Sequence, residues 1–143
     1  MATMEEATIQ RTLIGRLAHN ADLIEEITDL CSTNHIQLGQ VTALGAVSKA
    51  RVGFYNQVTR EYQFLELDKH LEITALVGNI SLKDGAPIVH AHITLSDDAG
   101  NAFGGHLASG TTIFACECII HAMSGPTLQR GFDQDTGLPL WNM

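Results

Sequence analysis

Between Ile88 and Ser96 the chain alternates by residue type. Val89, Ala91, Ile93 and Leu95 are apolar, whereas His90, His92, Thr94 and Ser96 are polar. Side chains of a β-strand point alternately to its two faces, so both imidazoles project from one side, about 7 Å apart at the backbone. His106 follows fourteen residues after His92, directly behind Gly104-Gly105. The turn residues Asp97-Asp98-Ala99-Gly100-Asn101 fold Ala102-Phe103 back beside the histidine strand, and the two glycines let backbone and ring approach closely. Three neutral imidazoles with an open fourth position are the ligand set of a catalytic zinc or a similar divalent ion. A plainer alternative stands beside it: His-x-His alone also fits the solvent face of an antiparallel strand.

Glu117 is the second candidate. It sits in Thr112-Ile-Phe-Ala-Cys-Glu-Cys-Ile-Ile-His-Ala, where its neighbours would all be buried. A carboxylate in such a strand needs a partner or a raised pKa, and His121, of the same parity, could be that partner. Its roles range from metal ligand, hydrogen-bond acceptor for a ligand histidine or general acid–base to a structural hydrogen bond or a subunit contact. Arg16 and Arg130 are candidates to pair with a substrate carboxylate. His19, His35 and His70 lie in polar or turn-like surroundings and read as exposed. Cys31, Cys116 and Cys118 form an odd set, and Cys116-x-Cys118 lacks the two-residue spacer of zinc or redox pairs, so buried free thiols are expected. Nothing resembles a nucleophile elbow, a P-loop or a dinucleotide fingerprint.

The elements that must position these residues are mostly strands. Arg11 to Ala18 reads as a strand. Leu23, Ile24, Ile27, Leu30 and Cys31 form one apolar stripe of a helix over 21–33, with Asn20 as the expected N-cap and Asn34 as a left-handed stop. Ile36–Val47, Arg51–Tyr55, Tyr62–Leu67, Leu71–Leu82, Ile88–Ser96 and Thr111–Met123 read as strands separated by turns. The expectation is an α+β domain over 11–143, with one main helix on a mainly antiparallel sheet and residues 1–10 as an N-terminal extension.

The chain has 143 residues, 45% of them hydrophobic and 17% charged, which suits one packed domain and argues against disorder. Sixteen Asp and Glu against eight Lys and Arg give a net charge of −8, which disfavours a face built to neutralise phosphates. The start, MATMEEATIQR, lacks a signal peptide's apolar stretch, and no apolar run approaches the ~18–20 residues of a membrane helix. A cytoplasmic protein is expected.

The block His90-Ala-His92-Ile-Thr-Leu-Ser-Asp-Asp-Ala-Gly100-Asn-Ala-Phe-Gly104-Gly105-His106-Leu-Ala-Ser-Gly110, followed by Phe114-Ala-Cys-Glu117, resembles the signature of the PPC domain, conserved in plants and prokaryotes. Gly15-Arg16-Leu17, Leu44-Gly45-Ala46-Val47 and Arg130-Gly-Phe132-Asp133 resemble its opening strand, second strand and closing segment. The resemblance implies a strongly bent antiparallel sheet assembled as a homotrimer. It also carries a DNA-binding label, drawn from plant members with a separate basic minor-groove reader that has no counterpart here. The fold is similar to that of acetolactate decarboxylase, whose His-x-His and later His hold zinc. The expected function is therefore a metal-binding small-molecule site, with lyase or hydrolase-type chemistry on a small carbonyl or carboxylate compound; the alternative is a DNA-associated regulator.

Overall fold

The computed structural model describes residues 2–143. Along the chain run β1 (Thr8–Arg16), α1 (Leu23–Thr33), β2 (Gly39–Asn56), β3 (Glu61–Leu67), β4 (Leu71–Lys83), β5 (Ala86–Ser96), β6 (Ala102–Leu107), β7 (Thr112–Ser124), β8 (Arg130–Phe132) and β9 (Pro139–Trp141). Seven strands form one sheet in the order β1-β7-β2-β4-β5-β6, with β3 also on β2, and every pairing within it is antiparallel. The strands β8 and β9 make a separate small hairpin.

The long strand β2 determines the shape. Its first half lies between β7 and β4; its second half pairs with β3, and Val52 and Gly53 also pair with Leu107 and His106 of β6. The path β2–β4–β5–β6 therefore closes back on β2, and the sheet is strongly bent, giving the expected α+β class. Register shifts at Ala43/Gly45 and Val47/Lys49 of β2 and at Ile73/Ala75 of β4 mark bulges, which bend a strand locally. These bulges explain why β2 is one strand where Ile36–Val47 and Arg51–Tyr55 read as two. Ser48-Lys49-Ala50 continues it as a bent stretch instead of a loop.

The concave face of the sheet holds the core. Leu23, Ile27 and Cys31 of α1 are fully buried against a cluster that includes Val41, Ile80, Ile93, Leu95, Ile113 and Ile120. The helix cap differs from expectation by two residues. Asp22, at φ −75° and ψ 128°, has the extended backbone an N-cap needs, and its carboxylate accepts from the Glu25 amide; Asn20, at φ 65°, lies in the turn before it. At the other end Asn34 caps with φ −94°, and the left-handed residue is His35 at φ 55°. No helix among the described residues is long and apolar enough to cross a membrane.

The opposite, outer face is unusual because it too is apolar. Ile14, Leu44, Val77 and Ile119 are 78%, 60%, 55% and 43% exposed, and they line a broad hollow of about 710 Å³ together with Arg16 and Glu117.

Candidate metal centre

Register brings the three histidines together on this outer face. His90 stands opposite Asn79 and His92 opposite Val77 of β4, while on the other side of β5 His92 stands directly opposite His106 of β6. Val89, Ala91, Ile93 and Leu95 point into the core, as the alternation requires. One ring nitrogen from each of His90, His92 and His106 lies within 4.8 Å of the other two. The ring centroids are 5.1–5.7 Å apart.

His106 reaches this position because β6 closes tightly on β2. A Cβ at Gly105 would sit 2.6 Å from the Gly53 carbonyl oxygen, so only glycine admits that approach. Gly53, opposite His106, leaves room for the rings of Tyr62 and Phe64 above it. The Tyr62 ring packs 5.1 Å from that of His106 and forms a wall of the site that sequence reasoning missed. Its signal is a cross-strand one, visible only once β3 is placed on β2.

The electrostatics favour neutral imidazoles. Burial, then the nearby Arg130 charge and the other two histidines, pushes His90 down to about 4. Burial, with His92 and Arg130, moves His106 in the same direction. Neutral imidazole is the form that binds a metal. The fit to an ion is tested by one atom: Nδ1 of His106 is buried and has no hydrogen-bond partner. Buried polar nitrogens are rarely left unpaired, and a cation shared with two converging imidazoles would satisfy this one.

Arg130 arrives from β8 beside His90. Its Nε donates to Ser81 Oγ at 3.0 Å, Nη1 to the Pro139 carbonyl at 2.9 Å and Nη2 to Asn79 Oδ1 at 2.7 Å. Trp141 of β9 lies under the guanidinium at 5.7 Å. Next to the histidines is a hollow of about 490 Å³, with His90, His92, Asn79 and Val77 on one side and Leu38, Met123 and Trp141 on the other.

The other candidate residues lie elsewhere. Glu117 is exposed, which corrects the expectation of a buried carboxylate: Cys116 and Cys118 point into the core and Glu117 points out. It stands opposite Arg16 in register and borders the apolar hollow, with β2 and β4 between its strand and β5. Arg16 is placed there too, away from the histidines. His121 is not the partner of Glu117; its Nδ1 is 2.9 Å from Thr12 Oγ1. His19, His35 and His70 are exposed. The three cysteines are free and buried.

Comparison with known proteins gives the same picture of the fold. A metal-containing protein of Archaeoglobus fulgidus is 37% identical with a TM-score of 0.95, over 99% of this chain and 100% of that one. A plant- and prokaryote-conserved protein of Pyrococcus horikoshii is 30% identical with a TM-score of 0.90, over 100% and 98%. A Bacteroides thetaiotaomicron protein described as a candidate DNA-binding protein is 25% identical with a TM-score of 0.86, over 98% of each chain. Among curated sequences, the bifunctional protein GlmU of a Synechococcus strain is 34% identical over 110 residues, 76% of this chain but 16% of that protein, so the chain spans about a sixth of that relative. The model of the Plants and Prokaryotes Conserved (PCC) domain matches residues 4–124, a stretch that runs from β1 through the histidine hairpin to the end of β7, and the chain belongs to that family.

Proposed function

We propose that the chain binds a zinc-like divalent ion through His90, His92 and His106 and presents it to a small molecule in the adjoining hollow. The observation that carries this reading is the unpaired, buried Nδ1 of His106 beside two other imidazoles. The metal-containing relative from Archaeoglobus supports it. A divalent ion in such a site supplies Lewis acidity toward a carbonyl or carboxylate oxygen and makes a bound water more acidic. The chain's own part is to hold His90 and His106 neutral, to keep Tyr62 against His106, and to set the Arg130 cation beside His90. Lyase or hydrolase-type chemistry on a small carbonyl or carboxylate compound suits these groups. Glu117 and Arg16 take no part in it within one protomer.

A homotrimer is proposed with it, in a cytoplasmic setting that suits three free thiols. The exposed apolar side chains on β1, β2, β4 and β7 favour burial against further copies. DNA binding is the weaker reading, although some similar structures are described in those terms. Of the eight basic residues, Arg11, Arg51, Arg60, Lys69 and Arg130 are already engaged by acidic side chains or by oxygens of the chain.

Elemental analysis of protein purified without an affinity tag tests the metal. The expected result is up to about one zinc per chain, lost in folded His92→Ala and His106→Ala variants. Zinc-incubated wild type that holds none, or variants that bind it unchanged, would overturn the reading. Light scattering should give about three times the chain mass, and Ile119→Glu should shift it toward monomer. A gel shift on random duplex DNA at micromolar protein with a steep salt slope would favour the regulatory alternative.

A further inference from the structure

Arg130 is a half-buried cation without an anion. Its three hydrogen-bond partners, Ser81 Oγ, Asn79 Oδ1 and the Pro139 carbonyl, are all neutral. Neither of the two ion pairs among the described residues includes it. A guanidinium carries five N–H groups, so two remain to donate. Asn79 is oriented by Arg130, which can only donate; its carbonyl oxygen is therefore committed and its NH₂ is left over. Of the side chains lining the adjacent hollow, Glu5 alone is a carboxylate, and it is exposed at the rim. A divalent ion on the histidines would add to this positive charge, with only the exposed Glu5 at the rim to offset it. Charges removed from water call for a paired opposite charge.

The rest of the wall is of another kind. Leu38, Met123 and Trp141 give the hollow an apolar side, and its volume of about 490 Å³ is that of a small-molecule site. A compact inorganic anion would leave that side empty, and a highly hydroxylated one would bury polar groups against it.

Arg130 does not itself line the hollow, but Asn79, which it holds, and Trp141, beneath it, do. We infer that the hollow takes a small carboxylic acid with an apolar body, its carboxylate meeting the Asn79 amide with the Arg130 charge behind it and its hydrocarbon lying along Leu38, Met123 and Trp141. The assignment rests on the metal reading only for the oxygen that the ligand would turn toward the histidines; Arg130 and the apolar wall stand without it.

Trp141 is the only tryptophan in the chain, so its emission reports on the hollow. Zinc-loaded full-length protein is titrated with 2-hydroxyhexanoate, glycolate, 1,2-hexanediol, hexylamine and inorganic phosphate. The expected result is a saturable change in emission with 2-hydroxyhexanoate. Its midpoint should lie about tenfold or more below that of glycolate, which lacks four carbons, and of the uncharged diol. Phosphate should bind no better than glycolate, and hexylamine should leave the emission unchanged. Arg130→Gln should weaken 2-hydroxyhexanoate by about tenfold or more at unchanged zinc content. Because Arg130 also ties β8 to β4, the comparison among ligands on wild-type protein decides the matter if that variant folds poorly. Equal midpoints for the hydroxy acid, the diol and glycolate would overturn the inference, as would phosphate binding tighter than the hydroxy acid. The same titration with hexanoate on zinc-free protein separates the two proposals. Binding that depends on Arg130 there, in a protein that never holds zinc, sinks the metal and keeps the carboxylate site; zinc held with no preference among ligands does the reverse.

Discussion

Gly105 is the tightest point in the architecture that carries His106, and Gly105→Ala tests whether that closure positions the ligand. The added Cβ would lie 2.6 Å from the carbonyl oxygen of Gly53 and 3.4 Å from Cβ of Val52. The nearest obstacle is backbone, so no side chain can swing away to make room. Strands β2 and β6 are joined there by only two pairs, Val52↔Leu107 and Gly53↔His106, and the methyl must push them apart by several tenths of an ångström. Overpacking of this kind costs about 1–3 kcal/mol, which for a chain of this size lowers Tm by roughly 3–10 °C. The displaced residue next in sequence is His106, so zinc affinity should fall by about tenfold or more, as it does when the groups supporting a metal ligand are disturbed. Gly15→Ala is the control: nothing lies within 4 Å of its Cβ, and the change should stay within about 0.5 kcal/mol. Scanning calorimetry and a competitive zinc titration measure both quantities. A Gly105→Ala protein that melts within about 1 °C of wild type and holds zinc equally well would refute the reasoning.

The other predictions concern protons, the helix cap and the thiols. His90 is lowered to about 4 when folded, against about 6.5 for an exposed imidazole, so the unfolded chain takes up the proton first and metal-free protein loses stability as pH falls between these values. Urea midpoints of zinc-free protein at about pH 7 and about pH 4.5 should therefore differ more for wild type than for His90→Gln, and parallel losses would contradict this. Asp22 accepts from the Glu25 amide at 3.2 Å and the Gly110 amide at 2.6 Å, so Asp22→Ala should cost about 1–2 kcal/mol in denaturant unfolding; no loss would show that these bonds add nothing. Cys31 and Cys116, pushed up to about 12 mainly by burial, and the buried Cys118 should be inert to a thiol dye until guanidinium unfolds the chain. A thiol that reacts at the unfolded rate in native protein would be inconsistent with this burial.

What was legible in the sequence depended on whether the two faces of a strand differ in kind. In β5 they do, and the alternation alone put His90 and His92 opposite the core side chains. His106 was legible because a short turn returns the chain beside His92. In β7 both faces are apolar: Cys116, Cys118 and Ile120 point in, while Phe114 and Ile119 point out beside Glu117. A period of two cannot tell inside from outside when both sides are hydrophobic, and Glu117 therefore reads as buried. Contacts made by long-range pairing give no local sign, even though Arg130 itself stands out as a candidate for a substrate carboxylate. Tyr62 reaches His106 through Gly53, and Arg130 reaches His90 through Asn79, connections that exist only in the folded sheet. The continuity of β2 was hidden for a related reason. Gly45 and Ser48-Lys49, which look like punctuation, occur where the register shifts without the strand ending.

The placement of all three imidazoles on the single hairpin β5–β6 has a consequence for when an ion would be taken up. A hairpin is a local structure that forms in about 1–10 μs, whereas the pairings that close the sheet join distant segments, such as Thr8 with Ser124 and Val52 with Leu107. The chelating group is thus a property of a short stretch of nascent chain, while Tyr62, Asn79 and Arg130 gather around it only at the end. A chain that has lost its fold still carries these three donors close together in sequence. It would compete with the native state for an ion, so metal held by the histidines would raise the folding stability by less than its affinity for the native protein would indicate.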